Sequence, residues 1–421
     1  MRKLKLDIQE KVIYPRHYHL EYASTVTPRE DKIVPIYNWF VFKHAFGRKL
    51  VLTVLDILRL RSKVRVLDPF CGSGTTLLAT KEKGISAIGF DILPLAVFVS
   101  NVKTRSYSTK RLQKILEYLR SCKNRVTESL PEIPILDKSF VPAVKEEISL
   151  LKSKIDSIHS RKERDFFMLA LLKVLEKFSK SSKDGAFLRL IPEKRIYPKR
   201  FMSTFVTTSL GMVRDIDHSK SAGTPSSKKW AAYEADARYI PQDFGLFDAV
   251  VTSPPYLNRH DYTRVYALEL AVGFVKSHNE LKKLRYNTFS SHVEARTVLN
   301  EREFNCPSLL REILQRLSQK PLNNSKLNEM IEGYFVDMFR FIKSVTNVLK
   351  PGGKVVLVLG NVRFAGIGIP VDQIIVQIAE QAGLRYEDIW SVRFRGNSPQ
   401  QMKAFGKSPS SENIIFLSKS M

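Results

Sequence analysis

The chain has 421 residues, with 68 Lys and Arg against 42 Asp and Glu, a formal net charge of +26. A field of that sign attracts polyanions and repels basic surfaces, so nucleic acid is the simplest partner. An anionic membrane is the rival, but no stretch approaches about 18 uncharged apolar residues, and no apolar run follows the basic amino terminus as a signal peptide requires. At 43% hydrophobic residues, the chain can hold one α/β domain of roughly 200 to 250 residues plus a second module. Cys71, Cys122 and Cys306 are widely spaced without a Cys-x-x-Cys pair, and the eight histidines lack ligand spacing. A reduced intracellular protein with no disulfide and no metal is therefore expected.

In chain order, the first informative segment is Val64-Arg65-Val66-Leu67, which has the alternation of a buried strand. Asp68-Pro69-Phe70-Cys71-Gly72-Ser73-Gly74-Thr75-Thr76 follows, and its glycines permit the tight strand-to-helix turn against which a nucleoside can lie. A second strand, Ala87-Ile88-Gly89-Phe90-Asp91, ends on a carboxylate roughly 20 residues beyond the turn, the spacing at which such a group meets ribose hydroxyls. No Gly-Lys-Ser/Thr follows the loop, which argues against a phosphate cradle, and S-adenosylmethionine fits better than a dinucleotide. Cys71 reads as a small core residue that suits the loop.

From Lys103 to Lys229 basic residues outnumber acidic ones about twofold. The apolar spacing of Leu112, Ile115, Leu116 and Leu119, and of Phe166, Leu169, Leu172 and Leu175, is helical. Residues 106–228 thus read as a basic helical insertion after a first core part, 1–105. Within it Arg189, Lys194, Arg195, Tyr197, Lys199 and Arg200 interleave charge with an aromatic ring over a Pro-broken loop. That run suits phosphate contacts, with a solvated face as the alternative.

The core resumes over 229–258. The apolar strand Phe247-Asp248-Ala249-Val250-Val251 leads into Thr252-Ser253-Pro254-Pro255-Tyr256. Two prolines fix φ near −65° and rigidify the turn, so that the Ser253 side chain and the Pro254 carbonyl can be aimed at one small polar target. Together they can accept the hydrogens of an aromatic amino group and leave its nitrogen lone pair free to attack a methyl group, while Tyr256 offers a ring face for stacking. Taken alone the segment could be an ordinary turn; the glycine loop and Asp91 in the same chain favour chemistry. A second, mostly helical insertion spans 259–330, and Arg259, His260, Tyr262, Arg264 and Tyr266 stand where a substrate would enter. The last core part, 331–421, opens with Leu349-Lys350-Pro351-Gly352-Gly353-Lys354 before a buried strand over Val355 to Leu359. A helix over Val371 to Ala382 and an antiparallel pair, Arg385 to Phe394 with Asn413 to Leu417, follow. The intervening basic loop from Arg395 to Ser408 is expected near the substrate mouth, with a plain surface loop as the alternative.

These segments resemble the S-adenosylmethionine-dependent amino-methyltransferases of DNA, and Ser253-Pro254-Pro255-Tyr256 resembles the subgroup that methylates cytosine N4. The adenine subgroup more often carries Asp or Asn in place of Ser253. The resemblance implies a Rossmann-like class I methyltransferase fold, α/β, with a mostly parallel seven-stranded sheet and helical insertions. It implies a cofactor loop from Asp68 to Thr75, with Asp91 and Ile92 at the ribose and Asp236 and Ala237 at the adenine. Asp236 also suits a plain helix cap. Residues Trp39 to Val51 look like a helix closing over the methionine end of the cofactor. The partner implied is double-stranded DNA, contacted by Arg195, Lys199, Arg200, Arg259 and Arg264, with a cognate restriction endonuclease as a further partner, in the cytoplasm and on the nucleoid of a prokaryote. Methylation at the cytosine ring carbon needs a Cys after a Pro, and here Cys306 precedes Pro307. An adenine-N6 enzyme, an RNA methyltransferase and a catalytically silent nucleic-acid-binding module remain as other readings.

Overall fold

The computed structural model describes residues 13–43, 45–121, 129–183, 187–218, 229–296, 303–321, 324–396, 406 and 409–421. Most of the basic loop after Arg395, and Cys122, lie outside the described residues.

Seven strands build the central sheet: β1 (Arg65–Asp68), β2 (Ser86–Asp91), β3 (Trp230–Glu234), β4 (Phe247–Thr252), β5 (Leu349–Gly360), β6 (Leu384–Arg395) and β7 (Ser410–Lys419). Their order is β3-β2-β1-β4-β5-β7-β6. Strands β3 to β5 run parallel, and β7 is antiparallel to both neighbours. An eighth member, the two-residue strand His17–Tyr18, pairs in parallel with the outer edge of β6. Both of its residues are exposed, so no hydrophobic pattern announces it.

Apolar runs make β1, β2 and β4 buried on both faces, as a parallel sheet between helices requires. On one face Leu67, Phe90, Val250 and Leu357 share a core with the helix Leu327–Val348. On the other, Val66, Ala87, Ala249, Val251, Val356 and Val358 meet the helices Arg48–Ile57 and Thr75–Glu82. The Pro-Gly-Gly segment does not end before β5 but belongs to it. Phe247 pairs with Leu349 and Ala249 with Lys354, so the intervening residues bulge out of register.

The basic insertion is helical, with long helices at Thr109–Ser121, Pro142–Asp156, Arg161–Phe178 and Phe201–His218. Its apolar faces do not close on themselves. Leu112, Phe166, Leu172, Phe205 and Met212 share one core with Val99 and Val102 of the helix Pro94–Thr104 and with Leu268 and Val272 of the second insertion. The insertion is therefore welded to the sheet domain by continuous apolar packing.

The expected helix over Trp39–Val51 is a correction: only its last residues are helical, from Arg48 on. Before that come a 3-10 turn, Tyr37–Trp39, and a strap that is non-helical over residues 40–43 and 45–47. Trp39, Phe42 and Phe46 fall at i, i+3 and i+7, the spacing of one helix face, and are buried together with Phe40, yet the backbone that carries them is not helical. The helix begins where the Asp31 carboxylate accepts the Arg48 amide, at 3.0 and 3.1 Å.

Candidate active site

The strand order reverses between β1 and β4, and ligands of open α/β sheets collect at the carboxyl ends of strands at such a point. Asp68, Asp91 and Thr252 end β1, β2 and β4 there. Asp68 is 1% exposed; its carboxylate accepts from the Thr252 hydroxyl at 2.6 Å and the Phe70 amide at 3.2 Å. Burial pushes its carboxyl up to about 6, against the pull of those hydrogen bonds. The bond to Thr252 ties the glycine loop to the strand that carries Ser253.

Asp91 accepts the Gly72 amide at 3.0 Å on one oxygen and the Leu93 amide at 2.9 Å on the other. Burial pushes it, too, up to about 6. Each carboxylate oxygen has two lone pairs, so the pair still has capacity for hydroxyl donors. Gly74 has φ +80°, and a Cβ there would lie 2.9 Å from Ser100 Oγ, so the turn into the helix Thr75–Glu82 needs glycine. At Gly72, also left-handed, a side chain would project toward the Phe42 ring, 3.6 Å away, into the cleft. The bare backbone there and the carboxylate beneath it suit a nucleoside.

One cleft, enclosing about 960 Å³ with its open mouth, is lined by Asp68, Pro69, Phe70, Cys71, Gly72, Ser73, Thr75, Asp91, Ile92, Asp236, Ala237, Ser253 and Pro255. It thus brings together nearly all the residues singled out for cofactor and chemistry. Gly74, Pro254 and Tyr256, each next in the chain to a lining residue, are not themselves part of the lining. Asp236 does two things: it lines the cleft and caps the turn Ala237–Tyr239, accepting the Arg238 amide at 3.0 Å. Arg238 pairs with Asp236 and Asp337 and donates to the Asn287 carbonyl, joining this wall to the second insertion.

Tyr256 is 6% exposed. Its hydroxyl donates to Glu412 at 3.1 Å and neighbours the Ser253 hydroxyl. The Arg395 guanidinium lies over its ring at 5.3 Å and pairs with Glu412 at 3.7 Å. Burial raises the carboxyl of Glu412 above the usual range. In this arrangement the ring face of Tyr256 is covered by Arg395.

Across the cleft stand Phe42 and Phe46 of the strap, His260 and Tyr262, and Asn287, Thr288, Phe289, Ser291 and His292. Sequence reasoning missed this last group, which no motif marks and which the fold carries in from the second insertion. Burial lowers the pKa of His292, favouring its neutral ring.

The five DNA-contact candidates lie outside the cleft lining. Arg195, Lys199 and Arg200 are exposed, with Arg200 over the Tyr197 ring at 5.4 Å. Arg259 is exposed at φ +65°, its amide bonded to the Ser291 carbonyl at 2.9 Å. Arg264 is engaged in ion pairs with Asp261 and Glu294. Among the described residues no group of His, Cys, Asp and Glu could hold a metal, and no helix is long and apolar enough to cross a membrane.

Residues 24–98 match the family model described as DNA methylase. The type II methyltransferase M.AvaI of Nostoc sp. is 31% identical, the match covering 91% of this chain and 86% of that protein. The type II methyltransferase M.BsoBI of Geobacillus stearothermophilus is 30% identical, with 91% and 85% covered. The type II methyltransferase M.MvaI of Kocuria varians is 24% identical over 76% of this chain and 75% of its own length. Matched over nearly its whole length, the chain belongs to the DNA methylase family of S-adenosylmethionine-dependent type II methyltransferases.

Proposed function

We propose that the protein methylates the exocyclic N4 amino group of a cytosine turned out of duplex DNA. The observation that carries this is the shared cleft: Ser253 and Pro255 line the same cavity as the loop Asp68–Ser73 and Asp91. S-adenosylmethionine, when bound, supplies an electrophilic methyl group on its sulfonium. Asp91 and Ile92 would hold its ribose, Asp236 and Ala237 its adenine, and the loop from Asp68 to Thr75 its backbone-facing side. The Ser253 hydroxyl and the Pro254 carbonyl accept the hydrogens of the amino group and keep its lone pair directed at the methyl carbon. No covalent enzyme intermediate is needed. Stacking of the base on the face of Tyr256 that Arg395 covers requires the guanidinium to leave it. The choice of cytosine rests on Ser253, which stands where the resembling adenine-specific enzymes more often carry Asp or Asn.

Duplex DNA would lie against the two insertions, 106–228 and 259–330, with extrusion of the base costing a few kcal/mol that contacts in the cleft offset. Arg195, Lys199, Arg200 and Arg259 are free to meet phosphates at the surface. Arg264 is better placed as a brace for Asp261 and Glu294 than as a phosphate contact. The protein would act in the cytoplasm, with a cognate restriction endonuclease as partner. Exchanging Arg195, Lys199 and Arg200 together for Ala is expected to weaken duplex binding and to reduce the slope of log affinity against log salt by about 2 to 3; an unchanged slope would remove this run from the interface.

The test of the reaction is incubation with methyl-labelled S-adenosylmethionine and unmethylated genomic DNA, followed by mass spectrometry of the nucleosides. Labelled N4-methylcytosine is the expected product. Labelled N6-methyladenine would keep the cleft and overturn the base.

A further inference from the structure

Lys103 is a buried cation at the seam between two walls of the cleft. It sits in the last turn of the helix Pro94–Thr104 and is 1% exposed. Its ammonium donates to the carbonyls of Phe40 at 2.6 Å, Ser73 at 3.0 Å and Tyr37 at 3.1 Å. Two of these acceptors belong to the strap and the third to the glycine loop. Removing an ammonium from water is costly, and an apolar side chain of similar length would fill the same space without that cost. What the charge adds is a three-way tie between segments that have no ladder of their own.

We propose that Lys103 is a positioning residue, a latch that holds the strap of residues 37–43 against the glycine loop, and that its positive charge sets the affinity for the cofactor. The inference rests on the cleft being the S-adenosylmethionine site. Beyond the latch, the strap leads to Phe42, Lys43, Ala45 and Phe46, all on the cleft wall, and Ser73 lines the same cleft. A displaced strap therefore opens the cleft on the side facing the loop. The Lys43 amide is fixed independently to the Tyr266 hydroxyl at 2.8 Å, so release of the latch loosens the first half of the strap without unfolding the rest.

Three carbonyls match the three N–H bonds of an ammonium. A neutral amine has one donor fewer and turns its lone pair on an acceptor oxygen. Burial pulls Lys103 down to about 7; among its neighbours, the Asp31 carboxylate on the turn Glu30–Ile33 favours the charge and Lys173 on the helix Arg161–Phe178 opposes it. Arg48 and Glu82 meet the strap through Tyr37. The latch is thus complete below about pH 7 and lost as pH rises through it. The fold responds in the opposite sense. With the folded value below the ordinary 10.5, the unfolded chain holds the proton more tightly, and stability rises with pH between the two values. A fall in cofactor affinity over that range is therefore not a fall in stability.

Calorimetric titration of S-adenosylmethionine into the wild type, Lys103→Met and Lys103→Arg, from about pH 6.5 to about pH 9, tests this. The α-amino group of the ligand titrates in the same window, near about 8, but equally for every protein, so the difference between proteins is the reading. Near the acid end K103M is expected to bind roughly tenfold more weakly than the wild type, and the gap is expected to close as pH rises. K103R stays charged throughout and is expected to show no loss beyond the ligand's own; it serves as the comparison should K103M not fold. A constant ratio between wild type and K103M across the range, or equal affinity at the acid end, overturns the latch. Failure of the wild type to bind S-adenosylmethionine at any pH overturns the cleft assignment itself, and with it this inference.

Discussion

Replacing Ser253 with alanine is expected to lower the single-turnover rate of methyl transfer about 10²-fold, while the Kd for S-adenosylmethionine stays within about threefold. The Ser253 side chain supports little of the local backbone. The end of β4 is fixed by the Thr252 hydroxyl on the buried Asp68 carboxylate, and the two prolines after Ser253 restrict their own backbone. Removing one hydroxyl from the partly exposed side of this turn leaves its course intact. What is lost is an acceptor aimed at the amino group. An aromatic amine is a poor nucleophile because its lone pair is spread into the ring; acceptors that draw on its hydrogens oppose that spread and fix its direction. With the hydroxyl gone the Pro254 carbonyl remains, so the reaction is slowed rather than abolished. With the duplex on the charged insertions, as proposed, DNA affinity is expected to be unchanged. Rate and cofactor affinity falling by the same factor would mean that Ser253 shapes the cleft and does not address the substrate.

How much of this was legible follows from where each signal resides. The glycine loop, Asp91 and the turn at Ser253 are local, since their chemistry depends on neighbours in the chain, and the structure gathers them into one cleft. Six of the seven main strands were legible for the same reason, from local patterning and bounding turn residues, while Trp230–Glu234 was not singled out. The strap was misread as helix because Trp39, Phe42 and Phe46 carry the helical i, i+3, i+7 spacing, and the capping of Arg48 by Asp31, 17 residues away, could not be read locally. Asn287 to His292 were invisible as a cleft wall because only tertiary packing, through Arg238 and Asp337, carries them there. Lys103 was missed for a different reason. A lysine near a helix end normally reads as a solvated residue favouring the dipole, and nothing in the chain says that three carbonyls from two other segments will enclose it.

Asp91→Ala is expected to act on the opposite parameter: a Kd for S-adenosylmethionine weakened about 10- to 100-fold, from the loss of about 1.5 to 3 kcal/mol of charge-assisted hydrogen bonding, with the rate at saturating cofactor changed only a few-fold. Part of that loss is indirect, since the Gly72 and Leu93 amides also lose their acceptor. The pH dependence separates the two parts. Burial holds the carboxyl at about 6, so its capacity to accept two hydroxyls is lost as pH falls through that value. Wild-type affinity is then expected to drop on the acid side, and Asp91→Ala to show no such drop. Stability runs the other way. A carboxyl whose folded value lies above the ordinary 3.8 contributes stability that is present below that ordinary value and lost as pH rises through about 6. Between these values the contribution of Asp91 to the cofactor-free fold therefore shrinks as its hold on the ligand grows, the pattern of a group kept for binding at some cost to folding. Wild-type affinity that stays level through about pH 6, beside a weakened Asp91→Ala, would show that the residue serves the loop alone and that the ribose is held elsewhere.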